Sequence, residues 1–142
     1  MYTNSDSCEY NNDSQCTKIM VLDDDFDIAT LVKKTLQRNG FKNVFLFTDP
    51  LSALKNFKIN HMTYSLVISD IRLPIMNGFE FVRQISRIKP EIKILFMTAF
   101  DTNDNDLMAR NLKYAKNVGG IIQKPVSPKK LAKIVAATTA RI

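Results

Sequence analysis

The chain has 142 residues, 45% of them apolar, which suits one domain with one core. Its 20 Lys and Arg outnumber 14 Asp and Glu, for a net charge of +6. No apolar run approaches the ~20 residues of a spanning helix, and the N-terminus lacks the basic and apolar regions of a secretory signal, so membrane and secreted classes are set aside and a cytoplasmic location is expected.

In chain order, the leader MYTNSDSCEYNNDSQCT (residues 1–17) is rich in Asn, Ser and Asp and poor in aliphatics. It cannot bury enough surface to offset its ordering entropy and is expected to be disordered, with residues 18–142 forming the domain. Cys8 and Cys16 fall in this leader at no common metal or redox spacing and read as reduced bystanders. From Lys18 onward, β-rich runs alternate with helical patterns. IMVL (19–22) predicts a first strand, and Ile28, Leu31, Val32 and Leu36 then make one apolar stripe before a stop at Asn39-Gly40. VFLF (44–47) predicts a second strand, followed by a helix start at Asp49-Pro50, a capping side chain before a proline at the first helical position. LVIS (66–69) and a helix over 77–88 come next, then ILFM (94–97), a helix with a weaker stripe over roughly 103–116, GIIQ (120–123), and a last helix starting at Ser127-Pro128. Five apolar strands each followed by a helix predict an α/β fold, a doubly wound parallel sheet with helices on both faces. The connections are too short for an eight-unit barrel.

The charge is uneven. Residues 1–17 hold three of the acids and none of the bases, leaving +9 on the rest, and after Asp106 there is no acid at all. Arg110, Lys113, Lys116, Lys124, Lys129, Lys130, Lys133 and Arg141 make that final stretch basic. A solvated face is the commoner explanation; nucleic acid, anionic lipid or an acidic protein are the functional ones.

Ligands of such sheets gather at the carboxyl ends of the strands. There stand Asp23, Asp24 and Asp25 after strand one, Asp70 after strand three, Thr98 after strand four, and Lys124-Pro125 after strand five. Singly, each has an ordinary reading: a cap, a β-branched strand residue, a common dipeptide. Jointly they point to chemistry. A carboxylate such as Asp70 beside a buried strand requires compensation. Several carboxylates at one rim raise one another's pKa unless a hard cation joins them, and Mg²⁺, which takes oxygen ligands while keeping waters, suits that role. With Lys124 as a point charge and Thr98 as a hydroxyl donor, the set fits phosphoryl transfer to Asp70 as nucleophile.

IMVLDDD, LVISDIRLPIMNGFEFV, ILFMTAF and GGIIQKPVSP together resemble the receiver domain of two-component response regulators, over residues 18 to about 140. The resemblance implies the flavodoxin-like strand order 2-1-3-4-5. It implies that Asp70 accepts phosphate from a sensor histidine kinase or phosphotransfer protein. Asp24 would bind Mg²⁺ directly, Asp23 would hold it largely through water, and Asp70 and the Arg72 backbone carbonyl would complete the protein's share. Thr98 and Lys124 would contact the phosphoryl group across a cis Lys124-Pro125 bond, with Asp25 only a cap. It further implies a regulator that catalyses no reaction beyond its own phosphoryl transfer and dephosphorylation. Its output would be a protein target, acidic in view of the basic face, bound on the surface of the helix over 103–116, the fifth strand and the last helix. Nucleic acid is the less favoured partner, no membrane is involved, and the chain would be a monomer or a dimer formed on phosphorylation. The residues after the last predicted strand leave room for one helix, so an output domain is not expected within this sequence.

Two features depart from the family. Ile121 stands where an aromatic ring commonly reports phosphorylation, and the last helix is basic where receivers tend to be acidic. Two rival readings are a phosphatase of the haloacid dehalogenase type, using Asp23 and Asp25, and a basic binding module that works without phosphorylation. The first needs a late acidic pair for Mg²⁺ and leaves Asp70 unexplained. His61 reads as a surface residue; Met20, Met62, Met76, Met97, Met108, Phe79 and Phe81 read as core or loop packing.

Overall fold

The computed structural model describes residues 17–99 and 116–140. Five strands, β1 (Lys18–Leu22), β2 (Asn43–Phe47), β3 (Tyr64–Asp70), β4 (Lys93–Ala99) and β5 (Val118–Lys124), form one sheet in the order β2-β1-β3-β4-β5. Every pairing is parallel. Four helices are described: α1 (Phe26–Arg38), α2 (Pro50–Asn60), α3 (Gly78–Ile88) and α4 (Pro128–Thr139). All five predicted strands are present, each extended by one or more residues.

Side chains alternate across the strands, so two cores form. Met20, Val67, Ile94 and Phe96 face α2 and α3, where Phe57, Phe81 and Ile85 are fully buried. Ile19, Val21, Leu66, Ile68, Leu95, Met97 and Ile122 face the other way, against Ala29, Val32 and Leu36 of α1 and Leu131 and Val135 of α4.

Helix starts follow the caps. Asp25 accepts from the Asp27 and Ile28 amides, Asp49 from Leu51 and Ser52, Asn77 from Glu80, and Ser127 from Lys130. The helix read from residue 77 begins at Gly78 because Asn77 is its cap. α1 stops at Asn39, followed by Gly40 at φ 95°, a left-handed value that glycine accepts without steric cost. His61 lies in a single 3-10 turn, His61–Thr63, that leads into β3. The leader with Cys8 and Cys16, most of the helix read over 103–116 with Met108, Arg110 and Lys113, and Arg141 lie outside the described residues; Lys116 sits in a turn before β5.

Candidate functional site

Parallel register carries the carboxyl ends of β1, β3, β4 and β5 to one rim. Leu22 pairs with Ser69, Asp70 with Met97, and Ala99 with Lys124, so Asp23, Asp70, Thr98 and Lys124 all fall on one rim, within two residues of one another along the strands. Asp23 is fully buried, while Asp70 and Thr98 are each only 6% exposed. Asp24 is exposed on the solvent side.

The Asp23 amide donates to Phe47 O at 3.0 Å, which ties the end of β1 to β2, and Asp23 Oδ1 accepts the Asp25 amide at 3.0 Å. Lys124 Nζ lies 2.7 Å from Asp23 Oδ2 and 2.8 Å from Asp70 Oδ2. Its contact with Asp70 is an aligned hydrogen bond. Its contact with Asp23 is a close ion pair off the hydrogen-bonding direction, so Asp23 Oδ2 is a buried carboxylate oxygen lacking an aligned donor. Asp70 Oδ1 accepts the Arg72 amide at 3.3 Å. The Thr98 hydroxyl donates to Ala99 O at 2.9 Å.

Charge is short on the positive side. Burial pushes the Asp23 carboxyl above its ordinary range and the charge of Asp70 adds to this, against the opposing pull of Lys124 and the Asp25 amide. Burial alone would pull the Lys124 ammonium down, but its close contacts with the Asp23 and Asp70 carboxylates outweigh this and raise it. One ammonium thus faces a group of three carboxylates, since oxygens of Asp23, Asp24 and Asp70 all lie within 4.8 Å of one another. Asp24 gives the group an open side, and the donors are all hard oxygens. The buried off-axis Asp23 oxygen supplies a further unmatched acceptor. This donor set fits a hard divalent cation that retains part of its water.

The β3–α3 loop is built around Asp70. The Gly78 amide donates to Ile71 O at 2.7 Å, and a Cβ at Gly78 would collide with the Asp70 carbonyl oxygen and the Ile71 backbone. The Met76 amide reaches Pro74 O at 2.7 Å across Ile75, which adopts φ 71° although it is β-branched and 81% exposed. Such strain collects where surrounding structure over-determines a loop. The Lys124–Pro125 bond is cis, as the resemblance implies.

The structure therefore gathers Asp23, Asp24, Asp70 and Lys124, with Thr98 on the adjoining strand end, and assigns Asp25 to capping α1. Three features escaped the sequence reading: the Lys124–Asp23 contact, the requirement for Gly78, and the strained Ile75. Only Gly78 left a signal, as a glycine at a helix's first position where its cost needs a packing reason. Ile121 pairs with Phe96 in the sheet and remains 38% exposed.

A five-stranded parallel sheet in this order with a carboxylate rim at its carboxyl edge defines a class of α/β domains, and comparison with known proteins identifies which. The model of the response regulator receiver domain matches residues 19–136, and the chain belongs to that family. It is 34% identical over 91 residues to the transcriptional regulatory protein ZraR of Klebsiella oxytoca, a match covering 64% of this chain and 20% of that protein. With the alkaline phosphatase synthesis transcriptional regulatory protein PhoP of Bacillus subtilis it shares 31% identity over 124 residues, 87% of this chain and 49% of PhoP. The chain thus spans half or less of these curated relatives. The crystallised chemotaxis protein CheY4 of Vibrio cholerae superimposes with a TM-score of 0.74 at 27% identity, covering 86% of this chain and 98% of that one. No helix among the described residues is long and apolar enough to cross a membrane.

Proposed function

We propose that this receiver domain is a phosphoacceptor switch in which Asp70 takes a phosphoryl group from a phosphohistidine donor on a sensor kinase or phosphotransfer protein. The observation that carries this reading is the pairing of Asp70 with Lys124 at 2.8 Å inside the three-carboxylate group. An Asp70 carboxylate oxygen attacks phosphorus; the new O–P bond forms as the donor's N–P bond breaks, and the imidazole leaves with the electron pair and takes a proton from solvent. Lys124 and the Thr98 hydroxyl would receive the phosphoryl oxygens. Asp23, Asp24, Asp70 and the Arg72 carbonyl would hold Mg²⁺, which supplies positive charge against those oxygens. Domain and leader divide near residue 17, and the downstream target is an acidic protein surface.

The phosphatase reading loses its support in the receiver family match and in the engagement of Asp25 as the α1 cap. Incubation with acetyl phosphate and Mg²⁺ followed by intact mass measurement tests the proposal. One added phosphate is expected, absent in Asp70→Asn and retained at a reduced rate in Asp23→Asn. Label persisting on Asp70→Asn would sink the assignment.

A further inference from the structure

Among the described residues, charge is sorted between the two ends of the sheet. Every acid except Glu91 stands after the carboxyl end of β1, at the end of β3, at a helix cap or in a first helical turn. Bases crowd the opposite, amino end: Lys18 opens β1, Lys42 directly precedes β2, Lys93 opens β4, and Lys116 stands two residues before β5. Helix dipoles account for Arg38, Lys58 and Arg87 in the last turns of α1, α2 and α3, but not for the lysines at the strand starts.

One corner of this amino end is also apolar. Phe45 is 43%, Ile59 72% and Met62 80% exposed. The Lys18 ammonium lies 4.8 Å from the Phe45 ring centroid and 4.6 Å from that of Tyr64, and it donates to Thr63 Oγ1 at 3.0 Å, next to Met62. Thr63 in turn donates to Asn60 O at 2.8 Å, and the His61 ring meets Lys58 O at 3.1 Å. These bonds close the last turn of α2, which carries Lys58 and Ile59, onto the turn that carries Met62. Asn43 pairs with Lys18 in the sheet, which sets Lys42 at the neighbouring register position. Lys42 and Lys58 are exposed, and neither is ion-paired to a described residue. Exposed apolar groups among unneutralised lysines fit an acidic segment that also carries apolar side chains.

Such a segment is attached at this corner. Residues 1–16, outside the described residues, hold Asp6, Glu9 and Asp13 with no Lys or Arg, and Tyr2 and Tyr10 besides. They join the domain through Thr17 at Lys18, the same lysine that lies over Phe45. At ~3.5 Å per residue, Tyr10 can extend about 28 Å from Lys18, whereas Phe45 and the turn bearing Met62 are in direct contact with Lys18. A short tether of this kind gives an effective concentration of about millimolar. The carboxylate rim shares the leader's sign and repels it from the other end of the sheet.

We propose that the leader, residues 1–16, docks on this corner, its carboxylates against Lys42 and Lys58 and its Tyr10 ring against Phe45, Ile59 and Met62. The chain then covers its own basic apolar surface. Charge-driven docking requires no fixed leader conformation, which suits the leader's polar composition.

A nitroxide on Cys8 of the full chain, with Cys16→Ser leaving one thiol, tests this through paramagnetic broadening of backbone amide signals. At about 20 mM salt, Phe45, Ile59 and Met62 should lose roughly half or more of their intensity while Arg72 and Lys130 do not, and about 0.5 M salt should restore them by screening the leader's charges. Asp6→Asn, Glu9→Gln and Asp13→Asn together should reduce the broadening about twofold or more, as should Lys42→Glu with Lys58→Glu at exposed positions. Amide shifts unchanged elsewhere would show these variants folded. Broadening that survives the neutral leader would mean that the tether alone brings the label near, and it overturns the proposal. Broadening spread evenly over the surface overturns it too. So does broadening of an isotope-labelled chain by a separate spin-labelled chain, which would assign the corner to a second copy.

Discussion

The Lys124 ammonium lies 2.8 Å from Asp70 Oδ2, a contact joining residues 54 apart in sequence, and it sits as close to Asp23. One cation therefore restrains two carboxylates that would otherwise repel each other. Lys124→Met should destabilise the metal-free domain by about 2–3 kcal/mol, less than the ~3–5 kcal/mol for breaking a fully buried pair because this site is partly solvated. Urea denaturation measures this, and an unchanged midpoint would show that solvent already screens the carboxylates.

Asp23 carries the opposite expectation. Its folded pKa is raised, so the folded state holds the proton more tightly than the unfolded chain; the cost appears as pH rises above the ordinary carboxylate value and is fully present once Asp23 ionises in the native state. In metal-free protein near neutral pH, Asp23→Asn should raise the urea midpoint. A lower midpoint would mean that the contact with Lys124 outweighs desolvation.

Added Mg²⁺ should raise the thermal midpoint of the parent in a saturable way, since a ligand that binds only the folded state stabilises it by mass action. Asp24→Ala should abolish most of this gain and leave the metal-free midpoint nearly unchanged, because Asp24 is exposed. A gain that survives Asp24→Ala would remove that residue from the proposed ligand set.

Two loop substitutions should act in opposite directions. Gly78→Ala places a methyl group against the Asp70 carbonyl and should cost ~1–3 kcal/mol by overpacking, while displacing the phosphoacceptor. Ile75→Gly relieves a left-handed backbone at an exposed position and should stabilise by roughly 0.5–1 kcal/mol, because part of the relief is offset by unfolded-chain entropy. Chemical denaturation of both variants checks the signs.

At the far end of the sheet, Tyr64 donates to Asn56 Oδ1 at 2.7 Å and stacks on Phe57 with ring centroids 5.8 Å apart. Burial pushes its phenol up to about 12. The unfolded chain ionises first, so this contribution to stability is complete below the ordinary tyrosine pKa of about 10 and is lost as pH rises from there through the folded value. In an absorbance titration, Tyr64 should ionise late, and Tyr64→Phe should delete that late component. A titration that Tyr64→Phe leaves unchanged at its alkaline end would contradict the burial argument.

Much of this molecule was legible in local pattern. Strand alternation, the Asp49-Pro50 and Ser127-Pro128 starts and the Asn39-Gly40 stop depend on neighbouring residues alone, and the sheet follows from repeating them. The rim residues were legible too, because a parallel α/β sheet must bring its strand ends to one side. Burial and partnership were not. Asp23 and Asp24 are adjacent and chemically identical, yet one is fully buried and the other exposed, since strand pleat and packing turn successive side chains in different directions. That Lys124 reaches Asp23 as well as Asp70, that Gly78 must lack a side chain, and that α1 and α4 leave an apolar chamber between them are all set by distances between remote segments. Sequence periodicity determines which residues face a core; only the assembled sheet and helices decide which charges share one counterion and where space remains.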